Sequence, residues 1–510
     1  MSNLLEKATI ILTPTAYDNS KVLCAKPSEP PYGDFDFSRN SAATRVNAQG
    51  LVENVQTISG NLVTNGDFAN GSTDWSLGTG WSIGTDKALC DGTQTSSSDL
   101  TQALSTPSGK LYKITYTISE YTSGSIFVRL NSGNVTASQN TVGTFTEYIS
   151  GEGGTQIILR ADANFIGSIT NISVKEIIDD TNLPRINYEG GCGSWLFEPQ
   201  STNSVFQSNL LNPVSGGVVT PNAAISPDGT TNAIKVNFGT GVNSGSLIYI
   251  GGSSATASTQ YTFSFYAKNF SGDGTFRLRL DTDTQATLVN QNFTATSEWV
   301  RYTHTFTTDA AASSFSSSSR FRNDTNNNEV LFFGMQLEQQ SYATSYIPTS
   351  GSTVTRNRDL CNNGGSLATI NSTEGVLYAE IAALANDGTN RIISVSDGTT
   401  ANRVSIVLGS ATNQIRGQVR SSGTSFDFSD TSYNTLNNNK IAISYKLNDF
   451  SMWINGTKVA TDTSGITPIG MNEISFNAGG AVLTFFGKTK CLAVWKEALT
   501  DAELTSLTTI

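Results

Sequence analysis

Short stretches of alternating apolar and polar residues, each closed by turn-forming residues, recur along almost the whole chain. Residues 111–118 (LYKITYTI) and residues 440–445 (KIAISY) are two examples. A period of two places alternate side chains on opposite faces of a strand, whereas a helix requires a period of 3.6. Gly, Asn and Ser between the stretches favour tight turns. The pattern therefore predicts an all-β fold built from sandwiches.

The chain has 510 residues, which is more than one hydrophobic core can organise. The pattern divides it into an irregular N-terminal segment and three β-sandwich (jelly-roll-like) domains. The predicted units are an anchoring or assembly segment at 1–60, sandwiches at 61–178, 203–350 and 366–510, and linkers at 179–202 and 351–365. The first segment has little capacity for a core of its own. We expect it to be ordered against a neighbouring domain or against another subunit.

The first two sandwiches share an outline that indicates an internal duplication. Residues 111–130 and 260–280 each contain a strand with alternating aromatics, a Ser/Gly turn and a second alternating strand. An aromatic-containing strand and a closing strand follow in both units. Repetition at this scale is typical of a duplicated supersecondary unit.

Composition excludes several classes of function. Charged residues make up 14% of the chain and the formal net charge is −11. Because phosphate binding needs clustered Lys and Arg, we expect no nucleic-acid partner. No apolar run approaches the ~18 residues of a spanning helix, so no membrane insertion is expected. The start of the chain lacks the features of a signal peptide.

Three longer segments resemble recurrent stretches of bacteriophage fibre and other virion proteins. They are residues 37–53 (FSRNSAATRVNAQGLVE), residues 183–203 (with LPRINYEGG and LFEPQSTN) and residues 336–356 (QLEQQSYATSYIPTSGSTVTR). The resemblance implies a structural component of a tail-fibre or head-fibre type of appendage. It also implies assembly in the bacterial cytoplasm, exposure on the virion surface and contacts with other virion proteins. A homotrimer is the oligomer it favours.

The sandwiches carry resemblances of their own. Residues 61–68 (NLVTNGDF), followed by Trp75, are similar to the opening of jelly-roll carbohydrate-binding modules. Residues 453–459 (WINGTKV) and 493–504 (AVWKEALTDAEL) are similar to concanavalin-A-like or laminin-G-like sandwiches. Within the last stretch, Thr500 and Glu503 have the spacing of a helix capping box. These resemblances imply an architecture, while such sandwiches also serve as spacers.

Candidate binding residues follow from chemistry. Sugars stack on flat aromatic faces, so Trp75, Trp81, Trp299 and Trp453 are candidate carbohydrate contacts. Burial in a sandwich core is the alternative for each of them. No cofactor is expected apart from a structural calcium, for which Asn65 and Asp67 are the candidate ligands and a plain turn is the alternative.

Candidate anchoring and assembly residues lie in the virion-like segments. They are Phe37, Arg39, Arg45 and Arg356. Arg45 and Arg356 each follow a Ser/Thr-rich turn, just after a stretch that reads as a linker. One interpretation is a buried guanidinium that bridges carbonyl groups between domains, since its planar fork carries five donors. The other is a pair of exposed arginines on loops.

Enzymatic chemistry is not expected. His304 is the single histidine, lies in a strand-like stretch and has no neighbouring nucleophile motif. The function predicted is attachment of a phage appendage to the host surface through weak, multivalent glycan contacts. A purely structural decoration, collar or adaptor protein without a ligand is the first alternative. A glycan depolymerase, which needs only two suitably placed carboxylates, is the second.

Overall fold

The computed structural model describes residues 2–27, 33–131, 135–214, 216–239, 244–323 and 328–510. Within them the chain is almost entirely antiparallel β-sheet with one short helix near each end, so the all-β prediction is confirmed. No helix in the described ranges is both long and apolar enough to cross a membrane.

The elements are numbered in chain order. The N-terminal segment holds α1 (Ser2–Lys7), β1 (Ile10–Leu12), β2 (Tyr17–Asp18), β3 (Lys21–Val22), β4 (Phe35–Ser38), β5 (Thr44–Val46), β6 (Val52–Asn54) and β7 (Thr57–Ile58). The second unit holds β8 (Trp75–Leu77), β9 (Trp81–Gly84), β10 (Lys87–Asp91), β11 (Ser98–Thr106), β12 (Leu111–Ser123), β13 (Ile126–Leu130), β14 (Gly143–Ser150), β15 (Gly154–Ala161) and β16 (Ile166–Asp179). The next segment holds β17 (Ile186–Asn187), β18 (Ser194–Phe197) and β19 (Ser201–Asn203).

The second half of the chain continues the series. The third unit holds β20 (Leu211–Val214), β21 (Val218–Ile225), β22 (Thr231–Asn237), β23 (Ser244–Ile248), β24 (Gln260–Ser271), β25 (Thr275–Asp281), β26 (Thr287–Thr294), β27 (Val300–Thr307), β28 (Arg320–Asn323) and β29 (Glu329–Glu338). After β30 (Val354–Arg356) and β31 (Leu360–Asn362), the fourth unit holds β32 (Glu374–Ala383), β33 (Arg391–Ser396), β34 (Asn402–Leu408), β35 (Ile415–Ser421), β36 (Thr424–Asp430), β37 (Asn439–Lys446), β38 (Asp449–Ile454), β39 (Thr457–Asp462), β40 (Glu473–Ser475), β41 (Gly487–Trp495) and α2 (Asp501–Thr508).

The second and third units share one strand order, apart from an additional edge strand, β26, in the third unit, and this supports the duplication. One sheet of the second unit runs β14–β12–β16–β10–β9, and its counterpart in the third runs β27–β24–β29–β22–β21. The facing sheets run β13–β15–β11–β8 and β26–β25–β28–β23–β20. In each unit, the long strand that carries the alternating aromatics (β12 or β24) packs its apolar side chains into the core between the two sheets.

The fourth unit incorporates the start of the chain. Its large sheet runs β17–β18–β41–β32–β37–β38–β39, with β1 also paired to β41, and it faces the sheet β36–β35–β34–β33–β40. Strands β2, β3 and β4 join β31 in a third sheet. Ile10, Leu12, Val22, Phe35 and Phe37 are buried in the core of this unit. The segment predicted to be irregular is therefore ordered against a neighbouring domain of its own chain.

Two local signals in the fourth unit are confirmed. Asn455 and Gly456 connect β38 to β39 with positive φ angles of 49° and 85°, as a tight hairpin turn requires. The Thr500 side chain accepts from the backbone of Glu503, and the Glu503 side chain accepts from the backbone of Thr500. The capping box thus begins α2 at the predicted position.

The two segments predicted to be linkers are instead structured. Residues 179–202 contribute β17 and β18 to the large sheet of the fourth unit, and β19 pairs with β30. In residues 351–365, β31 pairs with β4. Few apolar residues mark these segments in the sequence, yet Leu183, Trp195 and Phe197 are buried. Pairing with strands that are distant in sequence explains why local composition did not reveal them.

Candidate functional site

The three segments that resemble virion proteins meet at one buried cluster of charges. The first segment contributes Arg39, the second contributes Arg185 and Glu198, and the third contributes its last residue, Arg356. The fifth member is Asp359, which lies three residues after Arg356. All five side chains are between 0 and 4% exposed. We call this cluster the ionic hub. It lies where the N-terminal segment, the third unit and the fourth unit come together.

The hub is a continuous network of ion pairs. Arg185 contacts both carboxylates: its Nη1 lies 2.6 Å from Glu198 Oε2, and its Nη2 donates to Asp359 Oδ2. Arg39 Nη1 lies 3.2 Å from Asp359 Oδ1, and Arg356 Nη1 lies 2.7 Å from Glu198 Oε2. The Glu198 amide donates to Asp359 Oδ2 at 2.8 Å. Each carboxylate therefore bridges two arginines, which is what burial of these charges requires.

Burial and charge act in opposite directions on the pKa values in the hub. Burial raises the pKa of Glu198, but Arg356 and Arg185 and the hydrogen bonds from Ser345 outweigh it and hold that pKa at about 2. For Arg39, burial dominates over the attraction of Asp359 and lowers the pKa to about 10. The pKa of Arg185 is raised, because its two carboxylate partners outweigh its burial. Near neutral pH, Glu198, Arg39 and Arg185 are therefore charged.

Hydrogen bonds extend the hub into the surrounding segments. Arg356 Nη2 donates to the Pro199 carbonyl at 2.8 Å, and Arg185 Nη1 donates to the Thr44 carbonyl at 3.3 Å. The Asn182 side-chain carbonyl accepts from the Arg39 amide at 2.9 Å. From this region β7 continues onto β16 of the second unit. The hub therefore fixes the arrangement of segments that connect all three sandwiches.

The structure separates the predicted anchoring residues. Arg356 is buried and bridges a carbonyl between units, as the first interpretation expected, whereas Arg45 is partly exposed and pairs with Glu53 at 2.9 Å. Arg39 takes the buried position instead. Phe37 is 3% exposed in the core of the fourth unit and is not available to dock a partner. This placement corrects the prediction of Phe37 as an anchoring or assembly residue, because a ring buried in its own domain cannot contact a partner.

Sequence reasoning missed Arg185, Glu198 and Asp359. A signal for them was present, since they are ionisable residues inside or beside motif segments of a chain that is poor in charge. Asp359 contacts both Arg185 and Glu198, and it is more than 160 residues from each of them in the sequence. No local spacing rule connects such positions.

Three of the four candidate tryptophans are core residues. Trp75 and Trp81 are each 6% exposed and pack against Phe68 and Phe165. Trp453 is 5% exposed and its ring lies beneath the Lys458 ammonium at 5.5 Å. Their ring faces are covered, so the prediction that they stack on sugars is corrected in favour of the core alternative.

Trp299 differs from the other three because it is only half-buried. Its indole Nε1 donates to the Ile225 carbonyl at 3.1 Å. The ring packs beside Val52, Phe333 and Tyr346, where the third unit meets the β5–β6 hairpin. Of the four candidates, Trp299 alone keeps a substantial exposed fraction.

Asn65 and Asp67 organise a loop. The Asn65 side-chain amide donates to the carbonyls of Gly71 and Thr73, each at 2.9 Å, and its side-chain oxygen accepts from the Asn70 amide at 3.0 Å. Asp67 Oδ1 accepts from the Ala69 amide at 3.2 Å. In the described part of the chain, no group of three His, Cys, Asp or Glu side chains has the geometry of a metal site. The contacts of Asn65 and Asp67 are those of the plain turn.

A polar groove lies between the second and third units, beside the β5–β6 hairpin. One part has a cavity volume of about 480 Å³, and its lining includes Lys113 and Tyr148 from the second unit, Asn209 and Asn232 from the third, and Asn54 from the β5–β6 hairpin. A second part, of about 420 Å³, shares Tyr148, Asn209 and Asn232 with the first. Both volumes fall in the range of small-molecule sites. Amide, hydroxyl and aromatic groups together suit the recognition of sugar hydroxyls.

No family model matches the chain, and no curated protein matches it. Solved structures give low similarities. The CBM40 of the Ruminococcus gnavus IT-sialidase, bound to alpha2,3 sialyllactose, is 16% identical, with 29% of this chain and 88% of that chain covered and a TM-score of 0.26. The CBM22 tandem of Paenibacillus barcinonensis Xyn10C is 12% identical, with 56% and 98% covered and a TM-score of 0.20. Trypanosoma rangeli sialidase is 9% identical, with 92% and 97% covered and a TM-score of 0.24. TM-scores this low carry no argument about the function of this chain.

Proposed function

We propose that the chain is a subunit of a phage virion appendage, of tail-fibre or head-fibre type, that holds three sandwiches in a fixed arrangement and attaches to glycans of the host surface. The observation that carries the proposal is the ionic hub. All three segments that resemble virion proteins contribute to it, and their shared role is to lock the sandwiches together. A fixed arrangement of domains suits a subunit that must present a surface at a distance from its attachment point.

Glycan attachment is supported by the groove between the second and third units. Its lining combines the exposed ring of Tyr148 and apolar side chains such as Ile58 and Phe333 with side-chain amides and hydroxyls. Aromatic rings stack on sugar faces, and amides pair with sugar hydroxyls. Weak single sites would suffice, because several subunits on one particle gain affinity through multivalency.

A purely structural role is the second candidate, and the burial of three tryptophans favours it. With Trp75, Trp81 and Trp453 in cores, the sandwiches lack three of the four aromatic platforms that their sequence first suggested. The chain would then be a decoration, collar or adaptor protein whose domains act as spacers.

Binding of the purified chain to whole host cells and to extracted surface glycans, with reducing-sugar release followed in parallel, tests the proposal. We expect binding without sugar release, and sedimentation as an oligomer, with a trimer as the first expectation. If the chain bound neither whole host cells nor extracted surface glycans, the purely structural role would be favoured. Release of reducing sugar that is abolished by neutralising a carboxylate would replace the proposal with a depolymerase.

A further inference from the structure

Three side chains form a row across the outer face of one sheet of the second unit. Tyr148 on β14 is the cross-strand partner of Lys113 on β12, and Lys113 is the partner of Lys175 on β16. The opposite face of β12 carries Tyr112 and Ile114, which are fully buried. Because alternate residues face opposite sides, the row faces outward, and its Tyr148–Lys113 end lines the groove.

The row places two positive charges side by side. Like charges at directly opposed positions of neighbouring strands repel and destabilise the sheet. Neither Lys113 nor Lys175 has a carboxylate within ion-pair distance among the described residues, although eight other lysines of the chain do. An anion bound between the two ammonium groups would remove the repulsion.

The carboxylates nearest to Lys113 are already engaged. Glu53 accepts from Arg45 at 2.9 Å and from Asn47 at 3.0 Å. Asp228 accepts from Thr230 and, at 2.8 Å, from the Asn232 side-chain amide. Both contribute attraction to Lys113 without pairing with it. Their oxygens therefore have other donors, whereas the two ammonium groups have no carboxylate partner in the part of the chain that the structure describes.

The remaining groups of the site suit a sugar. The Tyr148 side chain is 41% exposed and stands at one end of the row. Across the groove the side-chain oxygen of Asn232 is buried and has no hydrogen-bond partner, so it can accept from a ligand hydroxyl. One pleat further along the same face, the hydroxyls of Thr115 and Thr146 lie 3.2 Å apart. An aromatic face, a free acceptor and a ladder of hydroxyls accompany the two charges.

We propose that this site binds an anionic saccharide, with a sugar ring against Tyr148 and its carboxylate or phosphate between Lys113 and Lys175. The inference rests on the proposed glycan-binding function and specifies the location and the charge of the ligand. The two acid groups share the chemistry that lysine recognises, a compact anion that accepts from ammonium groups.

The test measures binding of the full-length chain to three immobilised pairs of saccharides, each with the acid group free in one member and blocked or removed in the other. They are tetragalacturonate and its methyl ester, 3′-sialyllactose and its methyl ester, and a phosphorylated oligomannose and its dephosphorylated form. We expect at least one charged member to bind more tightly than its neutral partner. We expect about a fivefold to tenfold loss of affinity in each of Lys113→Met and Lys175→Met, and weaker binding as salt is raised.

Lys268→Met is the matched control. Lys268 also has no ion-pair partner among the described residues and lies on β24, the counterpart of β12 in the third unit. The Lys268→Met chain is expected to bind as tightly as the unmodified chain. The Tyr148→Ala chain is expected to bind both members of a pair more weakly. Thermal unfolding of Lys268→Met and Tyr148→Ala should match the parent, because each change lies at an outer sheet face. Lys113→Met and Lys175→Met should unfold at the same temperature or slightly higher, because each removes the repulsion between the two lysines.

Several results would overturn the inference. They are equal binding of charged and neutral partners, full binding by both lysine variants, or no binding to any probe. If the unmodified chain still binds host cells in those cases, the proposed function stands and only this site is rejected. Loss of cell binding as well would reject both. Preference for the phosphorylated pair over the two carboxylate pairs would identify phosphate as the anion.

Discussion

Neutralising Asp359 is the sharpest test of the ionic hub. The Asp359→Asn change keeps the size and shape of the side chain and removes one negative charge. In the folded chain, Asp359 accepts from Arg39, from Arg185 and from the Glu198 amide, and its side chain is completely buried. After the change, two buried guanidinium groups share one fewer carboxylate. An uncompensated buried charge costs about 3–5 kcal/mol, far more than the loss of one ordinary hydrogen bond.

That cost is large against the 5–15 kcal/mol by which folded domains are commonly stable. We expect the Asp359→Asn chain to unfold at a lower urea concentration and its calorimetric trace to separate into independent transitions, because the sandwiches lose their shared support. We also expect trypsin to cleave faster at Arg356 and Arg358, in the segment that Asp359 ties down.

Asp427→Asn provides the matched control. It removes a carboxylate from an exposed pair with Arg416, whose side chains are 38% and 27% exposed. Exposed pairs contribute about 1 kcal/mol or less, so this variant should behave like the parent. If Asp359→Asn lost no more stability than Asp427→Asn and resisted trypsin equally well, the view that the hub holds the sandwiches together would be refuted.

Three further predictions concern single sites. The folded pKa of Glu198, about 2, lies below its ordinary 4.5, so its contribution to stability is present above about pH 4.5 and is lost as pH falls toward 2. In Glu198→Gln, the midpoint of urea unfolding should vary less with pH in that window than it does in the parent chain. The same pH dependence in both chains would contradict this prediction. Trp75→Ala should cost about 3–5 kcal/mol of unfolding free energy, as a core residue does; weaker sugar binding at unchanged stability would restore the platform interpretation. Thr500→Ala should cost about 1 kcal/mol, measured by urea unfolding, and no loss would show that the cap is dispensable.

Local sequence signals predicted much of the fold. Alternation in residues 111–118 identified β12 and its core face, and the Asn455–Gly456 pair identified a hairpin. The similarity of residues 111–130 and 260–280 anticipated two units with one strand order. These signals act over a few residues, where backbone preference and side-chain period decide the outcome.

The candidate site was anticipated only in part. Burial of Arg356 was one of two interpretations that the sequence left open, and its partner Glu198 and the central Arg185 were not anticipated. Tryptophan is both the best sugar platform and a common core residue, so composition could not distinguish the two roles. Burial depends on which strands cover a side chain, and that information is absent from its neighbours in sequence.

The sequence by itself determined that the chain is all-β and where several of its longer strands lie, and it indicated that two units are related. Only the tertiary structure decided that β1 pairs with β41, that segments predicted as linkers form the ionic hub, and that Lys113 and Lys175 share an unpaired row beside a groove. The physical reason is the sequence separation over which the two kinds of interaction act. Strand formation depends on nearby residues, whereas pairing partners, burial and charge networks depend on contacts between residues hundreds of positions apart.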